Sequence, residues 1–190
     1  FSNRGRVYWL KVWEVPQGSR NSRGKPIVNM FPLDKDEKVN VVLPLTGEFR
    51  TFPEDHYIFM ATRLGTVKKT PLTDFSNPRK AGIIAVGLDE GDVLVGAALT
   101  DGKHDVMLFS DGGKAVRFDE EDVRPMGRSA RGVRGMMLEE GQSVIAMLVA
   151  EDESQSVLTA TENGYGKRTS IVEYTRHGRG TKGMIAIQQS

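Results

Sequence analysis

The chain has 190 residues, a formal net charge of +1 and no cysteine. Without cysteine it has neither a disulfide framework nor a cysteine-ligated zinc site, which fits a reducing cellular compartment. No apolar run approaches the roughly 20 residues that a membrane-spanning helix needs, so no membrane partner is expected. The near-zero net charge argues against a uniformly basic nucleic-acid-binding protein, although a local field of one sign remains compatible with it.

Four glycines mark the start of similar segments, which lie roughly 50 residues apart, a period typical of repeat architectures. They are Gly5, Gly65, Gly113 and Gly164. Each is followed nine residues later by an acid and then by an apolar residue. The acids are Glu14, Asp74, Asp122 and Glu173. We expect these acids to be structural, as partners of a backbone N–H or of a neighbouring cation, and we expect the apolar residues after them to lie in the core.

Each segment predicts a hairpin followed by two more strands. Short apolar runs at 57–62, 106–109 and 156–161 lead into glycine-containing turns and then into a basic strand, which is a hairpin pattern. A loop rich in Pro, Gly, Ser and Arg follows. The predicted third strands are 27–31, 82–86 and 135–138, and the predicted fourth strands are 39–45, 93–99 and 143–150. No stretch shows sustained helical periodicity, so we expect little helix.

Four strands in a unit of about 50 residues predict a propeller-type blade. The expected fold class is therefore all-β, a β-propeller-like partial ring of four-stranded antiparallel blades. We expect a single domain over 1–190. Its approximate blade units are 1–47, 48–99, 100–150 and 151–190. Propellers have roughly 4–8 blades, so these units would form part of a ring or an open arc with exposed edges.

Basic and acidic segments alternate with the repeat. Residues 60–84 carry five Lys or Arg and one acid, whereas residues 85–108 carry one Lys and five acids. Because equivalent segments of a repeat fold lie on equivalent faces, we expect one basic rim and one acidic rim. A strong local field then coexists with a total charge near zero.

The loops at 124–134 and 176–182 combine arginine with glycine and are the strongest candidates for phosphate binding. Glycine lets a backbone approach a phosphate closely, and the arginine fork binds phosphate oxygens. A cation also recurs four residues after the first glycine, at Lys69, Arg117 and Arg168. Two plainer interpretations stay open. One is a solvated face with surface ion pairs worth about 0–1 kcal/mol each, and the other is a set of crossover loops whose glycines serve only the turn.

Patterns for catalysis are weak. His56, His104 and His177 are isolated and lack metal-ligand spacing, so we expect no metal site. The segment 163–169 superficially resembles a phosphate loop, but Thr161 stands where that loop needs a glycine, and a strand is predicted in place of the helix. We expect a non-catalytic chain without a cofactor. Two other functions are alternatives to phosphate-backbone binding by these loops. One is a protein-binding propeller fragment with no DNA role and the other, on weaker grounds, is a hydrolase in a propeller's central channel.

Several motifs, taken in order, are similar to those of one family. They are Phe-Ser-Asn-Arg-Gly-Arg-Val-Tyr at 1–8, Arg-Gly-Lys-Pro-Ile-Val-Asn at 23–29, Gly-Thr-Val-Lys-Lys-Thr at 65–70, Gly-Val-Arg-Gly at 132–135 and Asn-Gly-Tyr-Gly-Lys-Arg-Thr at 163–169. On these residues the chain resembles, over its whole length, the C-terminal DNA-wrapping domain of bacterial DNA gyrase A. The corresponding domain of topoisomerase IV is the near relative.

The resemblance implies a β-pinwheel of four-stranded blades that bends duplex DNA around a basic outer rim without sequence preference. It implies that this wrapping presents DNA to the strand-passage core of gyrase, a type II topoisomerase that introduces negative supercoils. ATP and Mg²⁺ would be used in other domains. The partners would be double-stranded DNA, the N-terminal core of gyrase A, and gyrase B in an A2B2 holoenzyme. The location would be the bacterial cytoplasm, in association with the nucleoid.

The family's DNA-contacting cations carry over by position to strands and loops of this chain. On strands they are Lys68, Lys69, Arg117, Lys167 and Arg168. In loops they are Arg23, Arg79, Lys80, Arg128, Arg131, Arg134, Arg176, Arg179 and Lys182. The family's Gly- and Arg-rich box would belong upstream of Phe1, and further blades would follow the last residue. We therefore expect this chain alone to bend DNA poorly and to supercoil nothing.

Overall fold

The structure, a computed structural model, describes residues 1–189. Within them the regular elements are β-strands and short 3₁₀ helices, without an α-helix, so the expected scarcity of helix is confirmed. None of these helices is long and apolar enough to cross a membrane. The strands are β1 (Arg6–Val7), β2 (Tyr57–Thr62), β3 (Thr66–Pro71), β4 (Ile83–Ile84), β5 (Leu94–Thr100), β6 (Asp105–Ser110), β7 (Lys114–Asp119), β8 (Val133–Arg134), β9 (Val144–Ala150), β10 (Ser156–Ala160), β11 (Gly166–Ser170) and β12 (Met184–Ile185). The 3₁₀ helices are Val12–Glu14, Ile27–Asn29, Gly47–Thr51, Leu72–Phe75, Glu120–Asp122 and Ile171–Glu173.

The sheets combine strands from consecutive repeats. Two four-stranded sheets have the strand orders β5-β2-β3-β8 and β9-β6-β7-β12, while β1 pairs with β4 and β10 pairs with β11. All of these pairings are antiparallel. Strands β4, β8 and β12 each belong to the repeat after the one to which they pair. The all-β fold with four-stranded antiparallel sheets is confirmed, and the sheets of residues 1–189 do not close into a ring.

The first glycine of a repeat anchors the strand that crosses over from the next repeat. The carbonyl of Gly65 accepts hydrogen bonds from the N–H of Gly135 at 2.8 Å and of Met136 at 3.2 Å. The same pair of bonds runs from Ala85 and Val86 to Gly5, and from Ala186 and Ile187 to Gly113. Glycine is needed because φ is +87° at Gly65 and a Cβ there would lie 2.7 Å from the oxygen of Met136.

Apolar side chains fill the junctions between neighbouring sheets. Phe59 of β2 and Phe118 of β7 are fully buried, and their ring centroids lie 6.2 Å apart, which joins the two four-stranded sheets. The apolar residue after the recurring acid is buried in three repeats, as expected. These three are Phe75, Val123 and Tyr174. Val15 is the exception at 51% exposure, because it lies on the exposed segment 11–29.

The two four-stranded sheets meet along one edge. Gly96 of β5 approaches β9 so closely that a Cβ would lie 2.9 Å from the Cβ of Met147. The opposite edges of these sheets are β8 and β12, the strands that cross over from the next repeat. We call β4, β8 and β12, together with the loops 76–82, 124–132 and 175–183 that precede them, the outer rim.

The third strands differ most from the sequence prediction. The strand predicted at 82–86 forms as β4, whereas the one predicted at 135–138 is displaced to β8 at Val133–Arg134, and β12 is the corresponding strand of the last repeat. All three join the sheet of the preceding repeat, because the residues that follow them bind the first glycine of that repeat. The strand predicted at 27–31 is instead the 3₁₀ helix Ile27–Asn29. The fourth strands β5 and β9 form as predicted, whereas 39–45 contributes the isolated bridge from Val39 to Ser2. The blade boundaries stay a prediction about the sequence repeat, since each four-stranded sheet draws on two repeats.

Candidate nucleic-acid interface

The rim loops cross from one sheet to the preceding one, which places their cations at the junctions. In the loop 124–132, the N–H of Met126 donates to the carbonyl of Lys69 on β3 at 2.8 Å. In the loop 175–183, the N–H of His177 donates to the carbonyl of Arg117 on β7 at 2.8 Å. Each loop must cross in this way because its following strand pairs in the preceding repeat's sheet.

A cation lies 15 residues after the first glycine in every repeat. These cations are Arg20, Lys80, Arg128 and Arg179. In two repeats the side chain holds the neighbouring rim strand: Arg128 donates to the carbonyl of Ile84 at 3.1 Å, and Arg179 donates to the carbonyl of Arg134 at 3.1 Å. Because a guanidinium has five N–H donors in a rigid fork, each arginine keeps donors that these bonds do not use.

Other predicted loop cations are exposed on the same rim. Arg131 pairs with Asp89 at 2.7 Å, but both side chains are more than half exposed, so the pair holds Arg131 only weakly. Arg134 is exposed next to Arg179, and these two cations come from consecutive repeats. The remaining exposed loop cations are Arg79, Lys80 and Lys182. Arg176 is 55% exposed and is partly engaged, since its Nε donates to Asp105 at 3.0 Å.

Lys68 does not lie on the rim surface, which corrects its assignment as a DNA contact. Its side chain is 1% exposed, and its ammonium donates to the carbonyl of Ala85 at 2.8 Å and to the carbonyl of Arg128. Burial, together with the nearby Arg128 charge, lowers the pKa of the Lys68 amine to about 8. Lys68 therefore fastens the crossing strand and the rim loop to β3.

Lys69 and Arg117 are corrected in the same way. Lys69 is 4% exposed, and its ammonium donates to the carbonyl of Glu120 at 2.9 Å. Arg117 is 6% exposed; it pairs with Asp105 at 2.6 Å and donates to the carbonyl of Ile171 at 3.1 Å. Both cations thus reach from their own sheet to the 3₁₀ helix of the next repeat. Their spacing in the sequence showed that the position recurs, but it did not show that a neighbouring repeat covers it.

The other predicted strand cations and Arg23 lie elsewhere. Lys167 and Arg168 are exposed on β11, which pairs with β10 alone among the described residues. Arg23 is on the exposed segment 11–29, which is not one of the rim loops. Arg124 was missed by the repeat alignment because no cation stands at its position in the other repeats. It is exposed on the rim loop 124–132, and its place in an arginine-rich loop was the available signal.

Two glycines were expected to leave room for a phosphate close to the backbone, but protein atoms occupy that space. A Cβ at Gly132 would lie 2.3 Å from the carbonyl oxygen of Val67, and a Cβ at Gly135 would lie 2.5 Å from a methyl of Val67. These glycines serve the close approach of β8 to β3. Gly127 and Gly178 have no atom within 4 Å of a Cβ position, so their backbones remain open to a ligand.

The recurring acids are exposed side chains in all four repeats, and among residues 1–189 the expected bond from a backbone N–H to the carboxylate forms in the first repeat alone. Glu14 accepts a hydrogen bond from the N–H of Lys11 at 3.0 Å. The carboxylate of Asp74 acts on the Lys68 amine in the direction that raises its pKa, although burial outweighs this effect. Asp122 contributes its backbone carbonyl, which accepts from Arg179 at 2.9 Å.

Comparison with known proteins shows which family has this architecture. The sequence model of the family described as "DNA gyrase C-terminal domain, beta-propeller" matches residues 1–45, 56–101, 104–151 and 155–190. The chain belongs to this family. It is 53% identical to DNA gyrase A of Klebsiella oxytoca over 188 residues and 50% identical to that of Escherichia coli K12. These matches cover 99% of the chain and 21% of each relative, so the chain spans about a fifth of their length.

Solved structures show the same fold. The C-terminal domain of a DNA topoisomerase IV aligns with a TM-score of 0.87 at 30% identity, over 97% of this chain and 56% of the other. A DNA gyrase A C-terminal domain aligns with a TM-score of 0.76 at 28% identity, over 96% of this chain and 57% of the other. The predicted family and its β-pinwheel fold are both confirmed.

Proposed function

We propose that this gyrase C-terminal domain chain binds duplex DNA along its outer rim without sequence preference. The observation that carries the proposal is the recurring rim cation, which the structure places at each crossing from one sheet to the preceding one. The proposed contacts on the rim are Arg79, Lys80, Arg124, Arg128, Arg131, Arg134, Arg176, Arg179 and Lys182. Lys167, Arg168 and Arg23 stay proposed contacts outside the rim.

The proposed mechanism is neutralisation of phosphates along an arc. Bending a site of 20–30 base pairs by 40–90° costs on the order of 1–6 kcal/mol. Many weak cation contacts spread over several repeats offset this cost together, as arginines do when DNA wraps around histones. Arg128 and Arg179 are anchored to backbone carbonyls of the adjacent repeat, which favours contact with the regular spacing of phosphates over readout of base edges.

In the larger protein we propose that this chain wraps DNA for gyrase. Its relatives carry the name of DNA gyrase A, and its own length corresponds to about a fifth of theirs. The wrapped DNA would be passed to a strand-passage core formed with gyrase B in an A2B2 assembly. ATP-dependent negative supercoiling would use ATP and Mg²⁺ in other domains, and this chain would contribute no catalytic residue.

A duplex-binding titration of the 190-residue chain at several salt concentrations tests the proposal. The logarithm of the association constant should fall linearly with the logarithm of salt concentration, with a slope of about −0.9 per phosphate contacted. Replacing both Arg131 and Arg134 by alanine should weaken binding equally on unrelated duplexes. It should also make the slope shallower by about 1 for each cation removed.

A matched control removes the same charge away from the rim. Arg50 and Lys38 lie outside the rim loops, so the Arg50→Ala plus Lys38→Ala variant should bind duplex DNA as tightly as the original chain. Equal weakening by both double variants would contradict a rim-specific interface. Absence of duplex binding at moderate salt, with capture of a protein ligand instead, would favour the protein-binding alternative.

A further inference from the structure

We propose that Asp101, His104 and Glu120 bind a first-row divalent metal ion with the coordination chemistry of zinc. Asp101 and His104 lie in the turn between β5 and β6, and Glu120 begins the 3₁₀ helix after β7. The register of the β6–β7 hairpin pairs Asp105 with Asp119, which brings their neighbours at 104 and 120 together. The site adjoins one of the proposed rim contacts, since Arg176 lines the same cavity as Asp101 and His104.

The three side chains present a compact set of ligand atoms. One donor atom from each residue lies within 4.8 Å of the other two. The Nδ1 of His104 is 2.7 Å from a carboxylate oxygen of Asp101 and 3.9 Å from Oε1 of Glu120. Zinc ligands stand about 2.0–2.2 Å from the ion, so small side-chain rotations bring all three to coordination distance.

A buried carboxylate oxygen points independently to a cation. Glu120 is fully buried, and its Oε2 has no hydrogen-bond partner among the described residues. Its other oxygen accepts from the N–H of His104 at 2.8 Å. A buried, unsatisfied charged oxygen is costly, and buried charges in proteins are normally paired or coordinate a metal. A bound dication would satisfy this oxygen.

Backbone hydrogen bonds hold the ligands in place before an ion binds. The N–H of Glu120 donates to the carbonyl of His104 at 3.0 Å, so residues 104 and 120 are joined by two reciprocal bonds. The carboxylate of Asp101 accepts from the N–H of Lys103 at 3.0 Å. Such outer hydrogen bonds orient metal ligands and strengthen binding.

The ligand types select among metals. One imidazole and two carboxylates suit zinc and its first-row neighbours, with water completing a four-coordinate site. Mg²⁺ and Ca²⁺ prefer sites made of oxygen ligands alone and should compete poorly.

The site adjoins a contact between the two four-stranded sheets. The carbonyl of Glu120 accepts from the Lys69 ammonium of the preceding repeat at 2.9 Å. A metal that immobilises Glu120 would therefore strengthen this junction. We expect the thermal unfolding midpoint of the chain to rise on zinc addition, since a ligand that binds only the folded state stabilises it.

Calorimetric titration of the chelator-treated chain with zinc chloride tests the proposal. We expect one ion per chain, and an affinity lower by at least about 10–100-fold in His104→Gln, since loss of a direct ligand should cost no less than loss of an outer hydrogen-bond partner. His56 is the matched control, because its Nδ1 lies 2.9 Å from the exposed Asp55 alone, and His56→Gln should bind zinc as the original chain does. Lack of zinc binding, or full affinity in His104→Gln, would overturn the proposal.

A spectroscopic readout on the unsubstituted chain guards against a variant that fails to fold. Zinc should shift the ¹⁵N resonance of the His104 Nδ1 and leave those of His56 and His177 in place, with His56→Gln and His177→Gln used for assignment. A shift of either other histidine without one at His104 would place the ion elsewhere and contradict the site.

Discussion

The hairpin after Gly65 and the hairpin after Gly164 share a backbone geometry but differ in what covers them. The φ angles of the two glycines are +87° and +83°. The carbonyl of Gly65 accepts two hydrogen bonds from the residues that follow β8, and a Cβ there would collide with the backbone. At Gly164 no atom lies within 4 Å of the Cβ position. The turn thus forms in each repeat whether or not a crossing strand covers it.

The cations that follow these glycines differ in the same way. Lys68 and Lys69 are buried and donate to carbonyls of neighbouring segments and of the following repeat. Lys167 and Arg168, at the equivalent positions, are exposed. A cation at this position is therefore a clamp between repeats where a neighbour covers it. It is a candidate for phosphate contact only where no neighbour does, and three predictions test this distinction.

The largest expected loss of stability comes from replacing the first glycine of a covered repeat, compared with the same change in an uncovered one. Gly65→Ala adds the cost of left-handed backbone, about 1–2 kcal/mol, and a collision with the Met136 oxygen that costs about 1–3 kcal/mol more. Gly164→Ala has the first cost alone. Urea unfolding should therefore show a loss of about 2–5 kcal/mol for Gly65→Ala and about 1–2 kcal/mol for Gly164→Ala. Equal losses would show that the crossing strand does not depend on the glycine.

The second-largest loss of stability is expected on replacing Arg117, the arginine that joins two repeats. Arg117→Met leaves the buried Asp105 with Arg176 as its remaining partner and should cost about 3 kcal/mol, the lower end of the range for breaking a buried ion pair. Arg168→Met, at the equivalent exposed position, should change the unfolding free energy by less than about 0.5 kcal/mol. The same urea titrations measure both, and a large loss in Arg168→Met would refute the distinction between covered and uncovered repeats.

The lysine pair gives the smallest and most pH-dependent effect. Because the pKa of Lys68 is lowered from 10.5 to about 8 in the folded chain, the unfolded chain binds more protons between those values. Stability should therefore rise with pH in this window, by about 1 kcal/mol per pH unit, while well below the folded pKa both states keep the proton. The measurement is the difference in unfolding free energy between the original chain and Lys68→Met, taken at neutral pH and at two alkaline pH values inside the window.

Lys167→Met, a substitution at the equivalent exposed position, is the control for this pH experiment. A rise with pH that persists in Lys68→Met would assign the dependence to another group.

Local patterns in the sequence predicted much of the fold. The turns before β3, β7 and β11 followed from glycine and polar residues between apolar runs, and the lack of helical periodicity predicted the all-β class. The strand at 27–31 was predicted from the repeat alone, yet the segment forms the 3₁₀ helix Ile27–Asn29. Aligning the repeats by residue spacing predicts a strand in every repeat, including a repeat in which the backbone has no partner strand to pair with.

The candidate interface was predictable in composition but not residue by residue. Arginine-rich loops at 124–134 and 176–182 do lie on the outer rim with exposed cations. Histidine spacing did not indicate the proposed metal site, because His104 and Glu120 approach each other only through the register of the β6–β7 hairpin. Burial of a cation such as Lys69 depends on Glu120 of the next repeat, which no local pattern contains.

The hairpin turns and the positions of the cations follow from local sequence, because each depends on residues within a few positions of one another, and the repeat follows from the spacing of its glycines. The sheet that each third strand joins, and the set of cations that remain at the surface, depend on the three-dimensional fold. Both outcomes depend on contacts between residues of different repeats, such as the bonds from Gly135 and Met136 to Gly65. A lysine that the repeat pattern assigns to the rim becomes a core clamp once the next repeat supplies its acceptor.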